Sequence, residues 1–128
     1  MSFVAQKSAL ESFIQTNLTG TNLVFENQSQ GNKVSEWVRV NILNPDNRQI
    51  SLGNNPYFRY LGLLIFQIFI KPNTGSGRAM EIADQITTLF RGQTISGMTF
   101  KPPVIDPVGE SGGWYQINVS AHFSREEV

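Results

Sequence analysis

The run "YLGLLIFQIFI", Tyr60 to Ile70, restricts the fold more than any other segment of this chain. Side chains on a strand alternate between faces. Tyr60, Leu64, Phe66, Ile68 and Ile70 therefore share one face with Gly62, while Leu61, Leu63, Ile65 and Phe69 take the other. A strand that is apolar on both faces is predicted to be central and covered on both sides. Burial of one face in a subunit contact is the alternative. The uninterrupted apolar stretches are too short for a membrane helix, and their Ile and Phe content suits a strand.

The segments around this strand extend the pattern. From Ser2 to about Leu18, Phe3, Leu10, Phe13 and Ile14 recur at helical offsets. Ser2 is placed to cap that helix and Gly20 to end it. "LVFE", Leu23 to Glu26, is a short strand. Asn27 to Ser35 has the composition of a loop. In "WVRVNIL", Val38, Val40 and Ile42 face one way and Arg39 and Asn41 the other, as in a half-buried strand. "NPDNRQISLGNNPY", Asn44 to Tyr57, carries turn residues and is predicted as a second long loop. A second helix is predicted from about Ser76 to Arg91, with Ala79, Ile82, Ala83, Ile86, Leu89 and Phe90 inward and Gly92 as its stop. "TISGMTFKPPVI" should hold one strand broken at Pro102-Pro103, "DPVGESGG" a loop, and "WYQINVSAHF" a final strand. The sum is a single α+β domain over 1–128. Its mainly antiparallel sheet has four to five strands flanked by two helices, in helix-strand-strand-strand-helix-strand-strand order.

A chain of 128 residues suffices for one core without staples. With no cysteine, disulfides and thiolate metal sites are excluded; this suits a reducing cytosol. "MSFVAQKSALESF" has no apolar signal core. Ten basic and ten acidic residues balance, whereas a dedicated nucleic-acid binder carries a basic excess. Between Asp46 and Glu81 there is no acid, but Arg48, Arg59, Lys71 and Arg78 occur. The plain explanation is chance spacing in a low-charge region. The sharper one is a local basic surface for an anionic partner.

The candidates for chemistry are weak. Gly75-Ser76-Gly77 follows a strand and precedes a helix, as phosphate loops do. Gly77 is followed by Arg78-Ala79 rather than the Lys-Ser/Thr that reaches phosphates and magnesium. Met80 stands where a dinucleotide fingerprint needs its third glycine. A turn capped by Thr74 or Ser76 explains the stretch better. His122, the only histidine, lies between Ser120 and Ser124 on the polar face of the last strand, with no acid placed to orient it. One histidine among scattered acids matches no metal spacing. Glu81 and Asp84 sit early in a helix, where the backbone dipole favours acids anyway. Neither cofactor nor catalytic residue emerges. Trp37 and Trp114 open strands on the faces opposite the apolar ones, at a sheet rim or in a subunit contact.

The long apolar strand with its Pro/Gly turn, the helix "GRAMEIADQITTLF", the link "FRGQTISG" and the final "GWYQINVSAHF" together resemble the tail terminator (tail-completion) proteins of long-tailed bacteriophages. The resemblance spans essentially the whole chain and rests on packing patterns. It implies a non-enzymatic virion protein: a hexameric ring, assembled in the host cytoplasm, on the head-proximal end of the tail tube. Such a ring stops tube growth and offers a face to the head-tail connector. Its implied partners are further copies of itself, the tube protein and the connector, with DNA passing through without specific binding and no membrane. Arg48, Arg59, Lys71, Arg78, Trp37 and Trp114 are the candidate contacts, the basic ones meeting either acidic neighbours or the DNA channel. The loops at Asn27–Ser35 and Asn44–Tyr57 would order on assembly. A chain of this size is a sphere about 36 Å across. Six in a ring enclose a hole of about the same width, which passes a duplex, whereas three do not. Another neck or connector protein, a small enzyme using His122 or the glycine turn, and a generic binding domain are the alternatives.

Overall fold

A computed structural model describes residues 2–20, 22–25, 36–49, 53, 57–71 and 77–127. The chain runs α1 (Phe3–Asn17), β1 (Leu23–Val24), β2 (Glu36–Gln49), β3 (Phe58–Ile70), α2 (Gly77–Phe90), β4 (Thr94–Ile95), β5 (Met98–Phe100), β6 (Val104–Ser111) and β7 (Trp114–Glu127).

Both helices form where the periodicity places them. The Ser2 hydroxyl accepts a hydrogen bond from the Ala5 N–H at 3.1 Å, satisfying one of the free donors of the first turn of α1. Leu10 and Ile14 of α1 are fully buried, with Leu18 just beyond its end. Ala79, Ile82, Ala83, Ile86 and Phe90 make the buried stripe of α2. Gly92, at φ +66°, ends that helix in the left-handed conformation that costs glycine little. The loop expected at Asn27–Ser35 and the turn before Gly77, with its caps Thr74 and Ser76, lie outside the described residues.

The described strands form one sheet in the order β1-β2-β3-β7-β5-β4, with β6 paired to β7 beside β5. Only β1 runs parallel to its neighbour. β3 is central, as its sequence predicts, bonded along its length to β2 and β7. Val38, Val40, Leu64, Phe66, Ile68, Ile117, Val119 and Ala121 share one face of the sheet, and both helices pack on it in a single core. Phe90 contacts the rings of Phe13, Phe66 and Phe100 at 5.0–5.5 Å, so α2, α1, β3 and β5 meet at one side chain.

Four expectations need correction. The sheet has seven described strands rather than four to five, in the order helix, three strands, helix, four strands. The predicted single strand at 94–105 is a β4–β5 hairpin followed by β6, which runs through the supposed loop "DPVGESGG". Pro107 is tolerated there because β6 pairs on one side only among the described residues and carries a bulge between Pro107 and Gly109. Likewise β2 continues to Gln49 through the supposed loop. A register shift between Leu43 and Asp46 absorbs the extra residues, and the outer edge of β2 beyond Arg39 has no described partner to need the missing N–H of Pro45. Finally, β3 is not covered by helices on both sides. Leu61, Leu63, Ile65 and Phe69 are only half-buried on the opposite face.

Candidate functional site

The chemistry-bearing residues do not converge. His122 is exposed on the helix-free face, directly opposite Leu63 of β3. Ser120 and Ser124 flank it, and no carboxylate contacts it among the described residues. Gly77 is the first residue of α2, and the rest of the glycine turn is not described. Among the described residues no cluster of three His, Asp or Glu side chains could hold a metal. Among the described residues no helix is long and apolar enough to cross a membrane.

The four basic candidates separate into two groups. Arg48 and Arg59 are register partners on β2 and β3, whereas Lys71 and Arg78 lie past the other end of β3. Twelve residues of extended chain between Arg59 and Lys71 span about 40 Å. They therefore do not form one basic surface. Arg59 is also matched within the chain: its guanidinium donates to Glu126 Oε1 at 2.7 Å, across neighbouring strands. Arg78 is held more firmly. Its Nε and a terminal nitrogen donate to the two Glu36 oxygens at 2.8 and 3.0 Å, and the other terminal nitrogen donates to Glu81 at 3.2 Å. The Glu36 hydrogen bonds, and then Glu81, hold this guanidinium above its ordinary range although burial opposes them. A forked pair of this geometry fixes the start of α2 against the start of β2. Within the acid-free interval 47–80, Arg59 and Arg78 are thus matched by acids from outside it. Glu36 and Glu126 are 42 and 67 residues away from their partners in sequence, so no local pattern could reveal them.

The aromatic candidates do come together. Trp37 stacks on Phe69 with centroids 4.2 Å apart and meets the edge of Trp114 at 6.1 Å. The Arg39 guanidinium lies 5.2 Å from the Trp37 ring centre, a favourable cation–π position. Trp37 is buried, and its indole N–H has no hydrogen-bond partner among the described residues. An orphaned buried donor costs on the order of 1–3 kcal/mol. Trp37 is therefore a packed residue at one end of the sheet, not an exposed rim contact.

Beyond this cluster the helix-free face carries a stripe of hydrocarbon. Leu43 and Leu63 are cross-strand partners, Ile65 follows, and Leu61 precedes. Leu43 is 48% exposed. At the other end the face turns polar around Arg59, Lys101, His122 and Ser124, which line a cavity of about 390 Å³. The features that sequence reasoning missed are Glu36, Glu126 and Lys101. Lys101 falls in the Lys-Pro-Pro segment that reads only as a break.

A family model described as phage tail terminator protein matches residues 5–123. Ten solved chains match in structure. One of them is 14% identical and superimposes with a TM-score of 0.69, covering 97% of this chain and 95% of its own. At that identity the likeness bears on the fold alone. No curated protein sequence matches.

Proposed function

This chain belongs to the phage tail terminator family, a family of tail structural proteins, and from that premise we propose that it works without catalysis as the cap of a phage tail tube. In this reading several copies, six as the resemblance implies, close into a ring on the head-proximal end of the tube after assembly in the host cytoplasm. The ring stops tube polymerisation, presents a surface to the head-tail connector and lets DNA pass.

The observation that carries the reading beyond family membership is the uncovered sheet face. The helices occupy one side only, and the other presents Leu43, Leu61, Leu63 and Ile65 partly to solvent. The three long strands β2, β3 and β7, about 40 Å long, cover on the order of 600 Å². A stable protein contact uses about 800 Å² per partner. The apolar part of the face is a stripe along β3 with Leu43, framed by Arg39, Asn41, Asn118, Ser120 and His122, and an exposed apolar patch rimmed by polar residues marks an interaction surface. A subunit or tube protein seated there would give the central strand its second cover.

Deletion of the gene tests the reading, with electron microscopy of the resulting particles. Tails of uncontrolled length that fail to join heads are expected, and purified protein should form rings. Uniform tails that join heads without this protein would overturn it.

A further inference from the structure

We infer that the hollow at the Arg59–Lys101–His122 end of the sheet is a site for a phosphoryl group. The chemistry comes from this chain's own residues; only the choice of a DNA backbone as its source rests on the tail-cap reading above.

The strand register builds the hollow. Thr99 and Phe100 of β5 stand opposite Ser124 and Phe123 of β7, and the Lys101 N–H donates to the His122 carbonyl at 2.9 Å. Lys101 is therefore the next cross-strand neighbour of His122. Alternate residues share a face, so Thr99, Lys101, His122 and Ser124 all project from the helix-free side. Their β-carbons mark a rectangle about 5 Å across the strands and about 7 Å along them. Two corners carry short hydroxyl side chains, which make a floor, and two carry long ones, which make a wall. Leu61 stands beside Ser124, and Arg59 beside Glu126, on the flank toward β3. All of these line one cavity of about 390 Å³.

The donors around it are uncommitted. The Lys101 ammonium, the His122 ring and the hydroxyls of Thr99 and Ser124 make no hydrogen bond or ion pair among the described residues. Arg59 gives its Nε and one terminal nitrogen to Glu126, which leaves its other terminal nitrogen without a partner among the described residues. The imidazole offers an N–H in either protonation state. Arg59 offsets the charge of Glu126, so Lys101 leaves a positive surplus. Asp106, on the same face of β6, stands opposite Asn118, about 13 Å further along β7 from His122. Leu61 and Leu63 keep water from one flank, and attraction to an anion strengthens where water is thinned out.

Donors from three strands thus surround one hollow at different angles. A phosphoryl group presents its acceptor oxygens in tetrahedral directions and can engage several donors at once. A carboxylate presents two oxygens in one plane and leaves more donors unmet. Lysine, serine and threonine side chains are also regular phosphate contacts.

His122 is the only histidine, so its ring protons report occupancy through a single NMR signal. Titrating inorganic phosphate at fixed pH and ionic strength should move that signal to saturation. Lys101→Gln, a change at an exposed side chain, should weaken binding by about tenfold. Thr99→Val keeps the side-chain shape but removes a hydroxyl, and should weaken it by about threefold. A short DNA duplex that drives the same saturable shift identifies the source as a phosphodiester backbone. A duplex without effect identifies it as free phosphate or a phosphomonoester, and both results support the site once phosphate saturates it. A shift that rises linearly with phosphate, or one unchanged by Lys101→Gln, overturns the inference. Acetate that saturates the signal at a lower concentration than phosphate needs also overturns it, marking a site for a protein carboxylate. None of these outcomes touches the tail-cap reading, which is tested by tail length in the gene deletion.

Discussion

Gly62 is the one glycine of β3, and the reason lies across the sheet. Phe123 is its register partner on β7 and lays its ring over the bare backbone. A Cβ at position 62 would overlap that ring far inside any real contact distance. Gly62→Ala must therefore push Phe123 out of the core, at a cost of about 1–3 kcal/mol. Urea denaturation should show that loss. It should be smaller when Phe123→Leu is already present, since neighbours that share a clash are not additive. Gly20→Ala, where an added Cβ meets nothing within 4 Å, should be nearly neutral. Arg125 is the opposite case, a buried cation kept by its surroundings. Its guanidinium lies 4.4 Å from the Tyr60 ring centre and 5.2 Å from that of Phe3. Its Nε donates to Gln6 Oε1 at 2.7 Å, and Gln6 in turn donates to Asn44 at 3.1 Å. This chain of contacts ties α1 to both β7 and β2. A lysine has neither the planar face nor the fork, so Arg125→Lys should destabilise by about 2 kcal/mol, read as a lower melting temperature. Arg78 behaves differently because it is partly exposed. Arg78→Gln should cost no more than about 1 kcal/mol. It tests an assembly role more cleanly than Arg78→Glu, which also sets like charges against Glu36 and Glu81.

At the level of elements, the β4–β5 turn is the clearest case of local sequence working against itself. Ile95 pairs with Met98, leaving Ser96-Gly97 as a two-residue turn with φ +48° and +85°. Positive φ at both positions favours Asn-Gly over Ser-Gly. Ser96→Asn should stabilise the fold by several tenths of a kcal/mol, and Ser96→Val should destabilise it, both measurable by thermal unfolding. That Ser-Gly pair is a readable turn signal inside a segment whose composition reads as one strand. The long periodic elements are legible in part: Leu10 and Ile14 of α1, the stripe of α2, one face of β3 and the inward residues of β7 from Ile117 to Phe123 are buried, whereas Phe3 of α1 is exposed, Gln6 is buried in its place, and the second face of β3 is only half-buried. Elsewhere the sequence misleads for a definite reason. Turn-type residues in β6 and in the second half of β2 sit where a bulge, and an edge with no partner among the described residues, remove the penalty they carry in a sheet interior. Such an edge is a property of the finished topology, and "DPVGES" or "NPDNRQ" contains no sign of it. The burial of Trp37 is a similar case. The strand periodicity put Trp37 on the face opposite Val38, but its burial depends on Phe69 and Trp114, which approach only when β3 and β7 align.

For the molecule as a whole, the decisive asymmetry is that two helices cover one face of a sheet whose central strand is apolar on both. Leu64, Phe66 and Ile68 are fully buried, while Leu63, Ile65 and Phe69 on the same strand are not. An isolated domain gains nothing from hydrocarbon left half-wet, and each buried CH₂ contributes roughly 0.8 kcal/mol once water is excluded. The face is therefore stabilising in an assembly and close to neutral in a monomer. Leu43→Arg separates the two. Leu43 is 48% exposed, so the monomer should keep its circular dichroism spectrum and its unfolding free energy to within about 0.5 kcal/mol. A buried, unpaired guanidinium in a closed interface is far more costly, and the variant should fail to form rings or to restore tail length control in phage lacking the gene. If Leu43→Arg assembles and complements like wild type, this part of the face is solvent-facing in the virion. The second cover of β3 must then be sought nearer the Trp37–Phe69–Trp114 end.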